Sequence, residues 1–153
     1  MERVCTFPVG PDDEARLAFL ESLGILDSPN SERFDRLTSL LRHMMNIPIA
    51  LVSLVDRKRQ WFRSNLGLDV FETHRNESFC GYAILPGAPD VTVVHDAQLD
   101  ERFKDNLLVT GPPFIRFYSG VPIKLKHRNE VSFKKKIYLF IFINSIIVKV
   151  IYS

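Results

Sequence analysis

VVHDAQLDERFKDNLLVTGPPFIRFYSGVPI, Val93 to Ile123, is the stretch whose reading decides the fold. It carries His95 and the acids Asp96, Asp100, Glu101 and Asp105, which either converge on a site or build a turn. VTVVHD, from Val91 to Asp96, alternates as a strand does, which sends His95 and Asp96 to opposite faces and denies them a catalytic dyad unless the strand has already ended. Asp100 stands where a cap would, its carboxylate accepting from the Arg102 or Phe103 amide, and Glu101 and Asp105 suit the positive end of a short helix that buries Phe103. A metal would need about three converging ligands, and His95 with loosely spaced acids does not supply them. The stretch therefore predicts strand, turn, short helix and, after GPP, a second alternating strand over FIRFYSGVPI, Phe114 to Ile123.

Upstream, IALVSLVD (Ile49 to Asp56) is apolar on both alternating faces, Ile49, Leu51 and Val55 against Ala50, Val52 and Leu54, as a strand covered on both sides requires. The polar turn RKRQ leads to a hairpin partner, WFRSNLG, which holds the only tryptophan, Trp61. Two helices precede this hairpin. In DDEARLAFLESLG, Asp12 or Asp13 caps, Leu17, Leu20 and Leu23 recur at helical spacing, and Gly24 stops the helix. In SERFDRLTSLLRHMMN, the residues Phe34, Leu37, Leu40, Leu41, Met44 and Met45 form one apolar stripe ahead of Pro48. Ser78 caps a further short helix carrying Phe79, Tyr82, Ala83 and Ile84.

At 153 residues and 46% hydrophobic, the chain suits one globular domain. Cys5 and Cys80 have no paired spacing, and the acidic N-terminus has no export signal, so a cytoplasmic location is expected. The net charge of +2 hides a break: 13 basic against 17 acidic residues up to Ile123, then 7 against 1 from Lys124 onward. Ile, Lys, Phe, Asn and Tyr, which AT-rich codons specify, fill 19 of the last 30 positions but 24 of the preceding 123. This shift predicts an N-terminal extension (1–11), a partial domain (12–123) and an atypical tail (124–153), translated from non-coding sequence joined to a real domain. Residues 137–151 are a weak membrane candidate, being 15 residues interrupted by Asn144, Ser145 and Lys149 where a bilayer needs about 20. One KKK cluster is no nucleic-acid surface.

Phosphate loops, dinucleotide fingerprints, serine-hydrolase elbows and zincin motifs are all missing from the sequence. Cys80, the one nucleophile candidate, reads as a buried inert thiol.

The ordered segments LESLGILDSP, ERFDRLTSLLRHMMNIPIALVSLVDRKRQWFRSNLGL, ESFCGYAIL and VVHDAQLDERFKDN through FYSGVPI resemble a GAF domain, of the type found in sensor histidine kinases and diguanylate cyclases. The resemblance implies an α+β, PAS-like fold with a central antiparallel sheet and flanking helices. It also implies a sensory module for small-ligand binding or homodimerisation, non-catalytic by itself, with no metal. After FYSGVPI the family continues with an LGTLC-like strand and a final helix, which this sequence lacks, so the last strand and helix are expected to be missing. The family's cysteine-dependent and bilin-attaching patterns are not found, nor is its cyclic-nucleotide signature, and the cofactor is unknown from the sequence. The expected pocket residues are Trp61, Phe79, Cys80, Tyr82, Asp96, Arg116, Phe117 and Tyr118, which are also ordinary core residues. The competing reading is the N-terminal fragment of a sensor histidine kinase or nucleotide cyclase whose catalytic part lies outside this chain.

Overall fold

The computed structural model describes residues 8–123 and the backbone of residues 124–126 and Lys134–Leu139. Cys5 and the candidate membrane segment 137–151, beyond Leu139, lie outside the described residues. Strand β1 (Ala50–Val55) is buried at every position, as its two apolar faces predict. It pairs antiparallel with β2 (Arg59–Leu66), which pairs with β3 (Glu72–His74). A second antiparallel group joins β4 (Thr92–Val94), β5 (Tyr118–Lys126) and β6 (Lys134–Leu139). The short β3 was not legible in sequence, because three residues are too few to show a period.

The β1–β2 ladder pairs Val52 with Ser64 but Ser53 with Phe62, so Arg63 is an extra residue in a β-bulge. The bulge turns two neighbouring side chains toward the helices. Arg63 lies over the ring of Phe34 at 5.2 Å, and the Ser64 hydroxyl lies 2.9 Å from that of Thr38 and donates to Asp35 Oδ1 at 2.6 Å.

Helix α2 (Glu32–Met45) thus seats on β2 through a polar contact, and Thr38 is its one fully buried residue. The apolar stripe is only partly used: Phe34, Leu37 and Leu41 are half-buried, while Leu40, Met44 and Met45 are exposed. The helix ends on Asn46 in the left-handed conformation (φ 49°), two residues before Pro48.

Helix α1 (Asp13–Ser22) buries Leu17 and Leu20 and stops at Gly24 (φ 59°), as expected. Its first acids do not cap it. Asp12 makes no side-chain cap, and the buried Asp13 carboxylate instead accepts from Arg16 Nε at 2.8 Å and Arg75 Nη2 at 2.9 Å. Burial pushes the Asp13 pKa upward, but the hydrogen bonds and charges of the two arginines outweigh it and hold the carboxyl below its ordinary range.

The main core lies on one face of β1 and β2, where Leu51, Val55 and Phe62 meet Val94 and Tyr118 from the other strand group and Phe79 from α3 (Phe79–Ala83). Phe79 stacks on Phe103 with centroids 4.1 Å apart. The opposite face of β1 carries Leu54 against Leu20 and Ala50 against Phe117. Antiparallel strands flanked by helices are the architecture the sequence predicts. Beyond the expected boundary at Ile123, Lys134–Leu139 pairs antiparallel with Val121–Lys126 of β5.

Candidate functional site

The aromatic and cysteine residues expected to line a pocket divide into three places. Phe79, Cys80 and Tyr118 come together in the solid core, with no exposed surface. Cys80 Sγ receives a hydrogen bond from Gln60 Nε2 at 3.2 Å and from Tyr118 OH at 3.7 Å, and lies 3.4 Å from Ser53 Oγ. Burial pushes the Cys80 thiol up to about 12, so it stays protonated and poorly nucleophilic at neutral pH. Trp61 and Phe117 belong to the opposite, helix-bearing face. Tyr82 packs edge-on against Phe103 at 4.9 Å and faces a shallow hollow shared with Arg102 and the Leu85–Pro89 turn.

The remaining two hold loops. Asp96 lies beyond β4, where its Oδ1 accepts from the Gln98 amide at 2.9 Å, and Arg116 Nη1 donates to the carbonyls of Val109, Phe114 and Ile115. The acids of the opening stretch also build structure. Asp100 accepts from the Arg102 amide at 3.0 Å and from the Arg102 guanidinium at 2.6 and 2.9 Å; these bonds hold its carboxyl below the ordinary range. Phe103 is buried, as expected, but the helix of this stretch, α4 (Leu107–Thr110), starts later, because Asn106 and not Asp100 caps it, accepting from Leu108 N at 2.8 Å.

The cavity of interest is elsewhere. About 430 Å³ in volume, it lies between the β2–β3 hairpin and the α4–β5 loop. Buried Ile49, Gln60, Phe62 and Ile115 form its floor; Leu68, Leu108 and the Pro112–Pro113 pair form its walls; and Asp69, Val70 and Glu72 stand exposed at the mouth. Gly67 sets the shape of this mouth. Its φ is 94°, and a Cβ there would fall 2.1 Å from the Pro48 carbonyl oxygen, so only glycine lets the loop cross so close to the start of β1. Asn65 then holds the loop, its Nδ2 donating to the carbonyls of Leu68 and Val70.

The polar side chains at the cavity are those of Gln60, Thr73, Glu77, Asp69 and Glu72. Gln60 spends its Nε2 on Ser53 at 3.1 Å and on Cys80, which leaves its carbonyl oxygen as the remaining polar atom of that side chain. The Thr73 hydroxyl is buried without a hydrogen-bond partner, and Glu77 and Asp69 add carboxylates. Sequence reasoning overlooked Gln60, Thr73 and Glu77. The turn residues Gly67 and Asp69 and the Pro112–Pro113 pair were the available signal, but nothing in the sequence said that these two loops meet.

Among the described residues, no group of three His, Cys, Asp or Glu side chains could hold a metal ion, and no helix is long and apolar enough to cross a membrane. A curated cyclic di-GMP phosphodiesterase of Pseudomonas aeruginosa is 43% identical over 120 residues, which are 78% of this chain. The chain spans about a fifth (20%) of that relative's length. Among solved structures, the GAF domain from an Acinetobacter phosphoenolpyruvate-protein phosphotransferase is similar with a TM-score of 0.48 and 15% identity, over 89% of this chain and 79% of that one. The family model for the GAF domain matches residues 29–131, from the start of α2 past β5, and on that match the chain belongs to the GAF domain family.

Proposed function

We propose that this chain is a sensory module that binds a small molecule in the cavity between the β2–β3 hairpin and the α4–β5 loop, and relays occupancy to a partner without catalysis of its own. The cavity carries the reading: about 430 Å³, with an apolar floor and a few convergent polar atoms, it has the size and lining of a small-ligand site. Phe79, Cys80 and Tyr118 enter the proposal as the packing behind Gln60, whose amide nitrogen Cys80 holds. Trp61, Tyr82, Asp96, Arg116 and Phe117 have no place in the lining.

A melting-temperature screen of the chain against pooled metabolites, cyclic nucleotides, cyclic di-GMP and tetrapyrroles tests this, since a ligand at 100 times its dissociation constant adds about 2.7 kcal/mol. Stabilisation should disappear when the cavity is filled by Leu108→Trp. Stabilisation that survives the filling would move the site elsewhere.

The likeness to a cyclic di-GMP phosphodiesterase favours an output domain of cyclic di-GMP turnover as the partner, over the histidine kinase or cyclase fragment weighed from sequence. Grafting this chain in place of the matching 120 residues of that relative and measuring cyclic di-GMP hydrolysis would check it. Activity indifferent to the graft would argue against this partner. Homodimerisation and a cytoplasmic location belong to the same proposal. The exposed Leu40 and Met44 of α2 support the former.

A further inference from the structure

We infer that the cavity selects a ligand with an apolar body and a cationic or hydrogen-bond-donating head, an amine or protonated nitrogen heterocycle, and discriminates against phosphates and nucleotides. This rests on the cavity being the binding site, as proposed above, and adds the chemistry of what enters it.

Three observations carry the inference. First, the lining has no lysine, arginine or histidine among the described residues, while Asp69, Glu72 and Glu77 bring three carboxylates to it. Second, the Gln60 amide nitrogen is already spent, so that side chain has only its accepting oxygen left, while the unpartnered Thr73 hydroxyl can accept or donate. A ligand that donates can satisfy both, whereas an acceptor-only anion leaves Gln60 unpaired and meets carboxylates of its own sign.

Third, the arginines around the site are occupied elsewhere. Arg59 reaches Glu72 at 2.7 Å but also holds Asp27 at 2.6 Å and Asp56 at 3.2 Å, so three carboxylates surround one guanidinium. Arg75, on the turn between Thr73 and Glu77, points to the buried Asp13 at 2.9 Å. Arg116 Nη1 is held by three backbone carbonyls. An entering phosphate would have to strip one of these cations from its partners. An ammonium group meets Glu77 and Asp69 directly, and its apolar body rests on Phe62, Leu108 and Ile115.

The test uses three probes that share one phenylethyl body: phenethylamine, 3-phenylpropionamide and 3-phenylpropionate, titrated by calorimetry against the full chain, with cyclic di-GMP as a fourth. Phenethylamine should bind at least about tenfold tighter than 3-phenylpropionate, with the amide between them, since one charge-assisted hydrogen bond is worth that much. Glu77→Gln should narrow the gap, and Leu108→Trp should abolish binding of all three. Binding of 3-phenylpropionate or cyclic di-GMP more tightly than the amine, lost with Leu108→Trp, would overturn the ligand class and leave the site standing. If binding of every probe is unaffected by Leu108→Trp, or if none binds at millimolar concentration to a chain that melts cooperatively, the site falls and the ligand class with it. To separate loss of binding from unfolding of the wall by tryptophan, Thr73→Val is run alongside: it should weaken amine binding while leaving the melting temperature within a few degrees.

Discussion

Two neighbouring regions on the same face of the sheet differ in how they are filled. Around Phe79 the rings of Phe103, stacked, and Tyr118, tilted, pack closely with no exposed surface, and even the polar atoms of Cys80, Ser53 and Tyr118 are spent on one another. On the far side of Gln60 and Phe62 the same layer opens into a cavity walled by loops. Aromatic side chains close space because their flat rings stack, whereas a proline pair and a glycine-hinged turn hold backbone apart and leave space. The difference teaches that in this chain aromatic richness marks the core, and loop stiffness marks the site.

The comparison predicts unequal costs. Phe79→Ala should remove about 3–5 kcal/mol, read from urea unfolding, because closely stacked rings cannot collapse over the void. Leu108→Ala, on a wall that already borders empty space, should cost less than about 2 kcal/mol. Equal losses would mean that the cavity wall is packed as firmly as the core.

Arg75 ties the cavity wall to α1 through Asp13, so Asp13→Ala, which leaves Arg16 and Arg75 buried without their carboxylate, should cost about 3–5 kcal/mol. The acid limb gives an independent reading. The folded-state pKa of Asp13 lies below its ordinary 3.8, so its contribution is fully present above that value and is lost as pH falls through the lower, folded one. In Asp13→Asn the decline in urea midpoint below the ordinary carboxylate range should flatten. An unchanged acid limb would show that the pair contributes no net stability.

Gly67→Ala should cost about 1–3 kcal/mol, from a positive φ and the collision with Pro48, and should reduce amine binding by reshaping the mouth. Stability loss with binding intact would separate the mouth from the site. The smallest effect belongs to the opening stretch: Asp100→Ala should cost about 0.5–2 kcal/mol, Asp100→Asn less, neither with metal dependence. Stoichiometric metal in the purified protein, lost on changing His95 or Asp96, would restore the reading of that stretch as a site.

Local chemistry was enough for much of the fold. The doubly apolar β1, the Ser78 cap, the Gly24 stop and the structural part played by Asp100 follow from alternation, hydrogen-bonding reach and backbone freedom, all of which act over a few residues. Even there, context overrode local preference. Asp13, a natural cap, was drawn to Arg75, 62 positions away, because a buried guanidinium needs a carboxylate more than a solvated helix end does. The ordered motifs determined the family, and Phe79, Cys80 and Tyr118 were among the eight residues expected to line one pocket. Only the tertiary structure decided that these three are core and that the open space lies beyond Gln60. A cavity is a property of how Gly67–Val70 and Pro112–Ile115 are held apart across more than forty residues of chain, and no period or spacing within either loop encodes that separation.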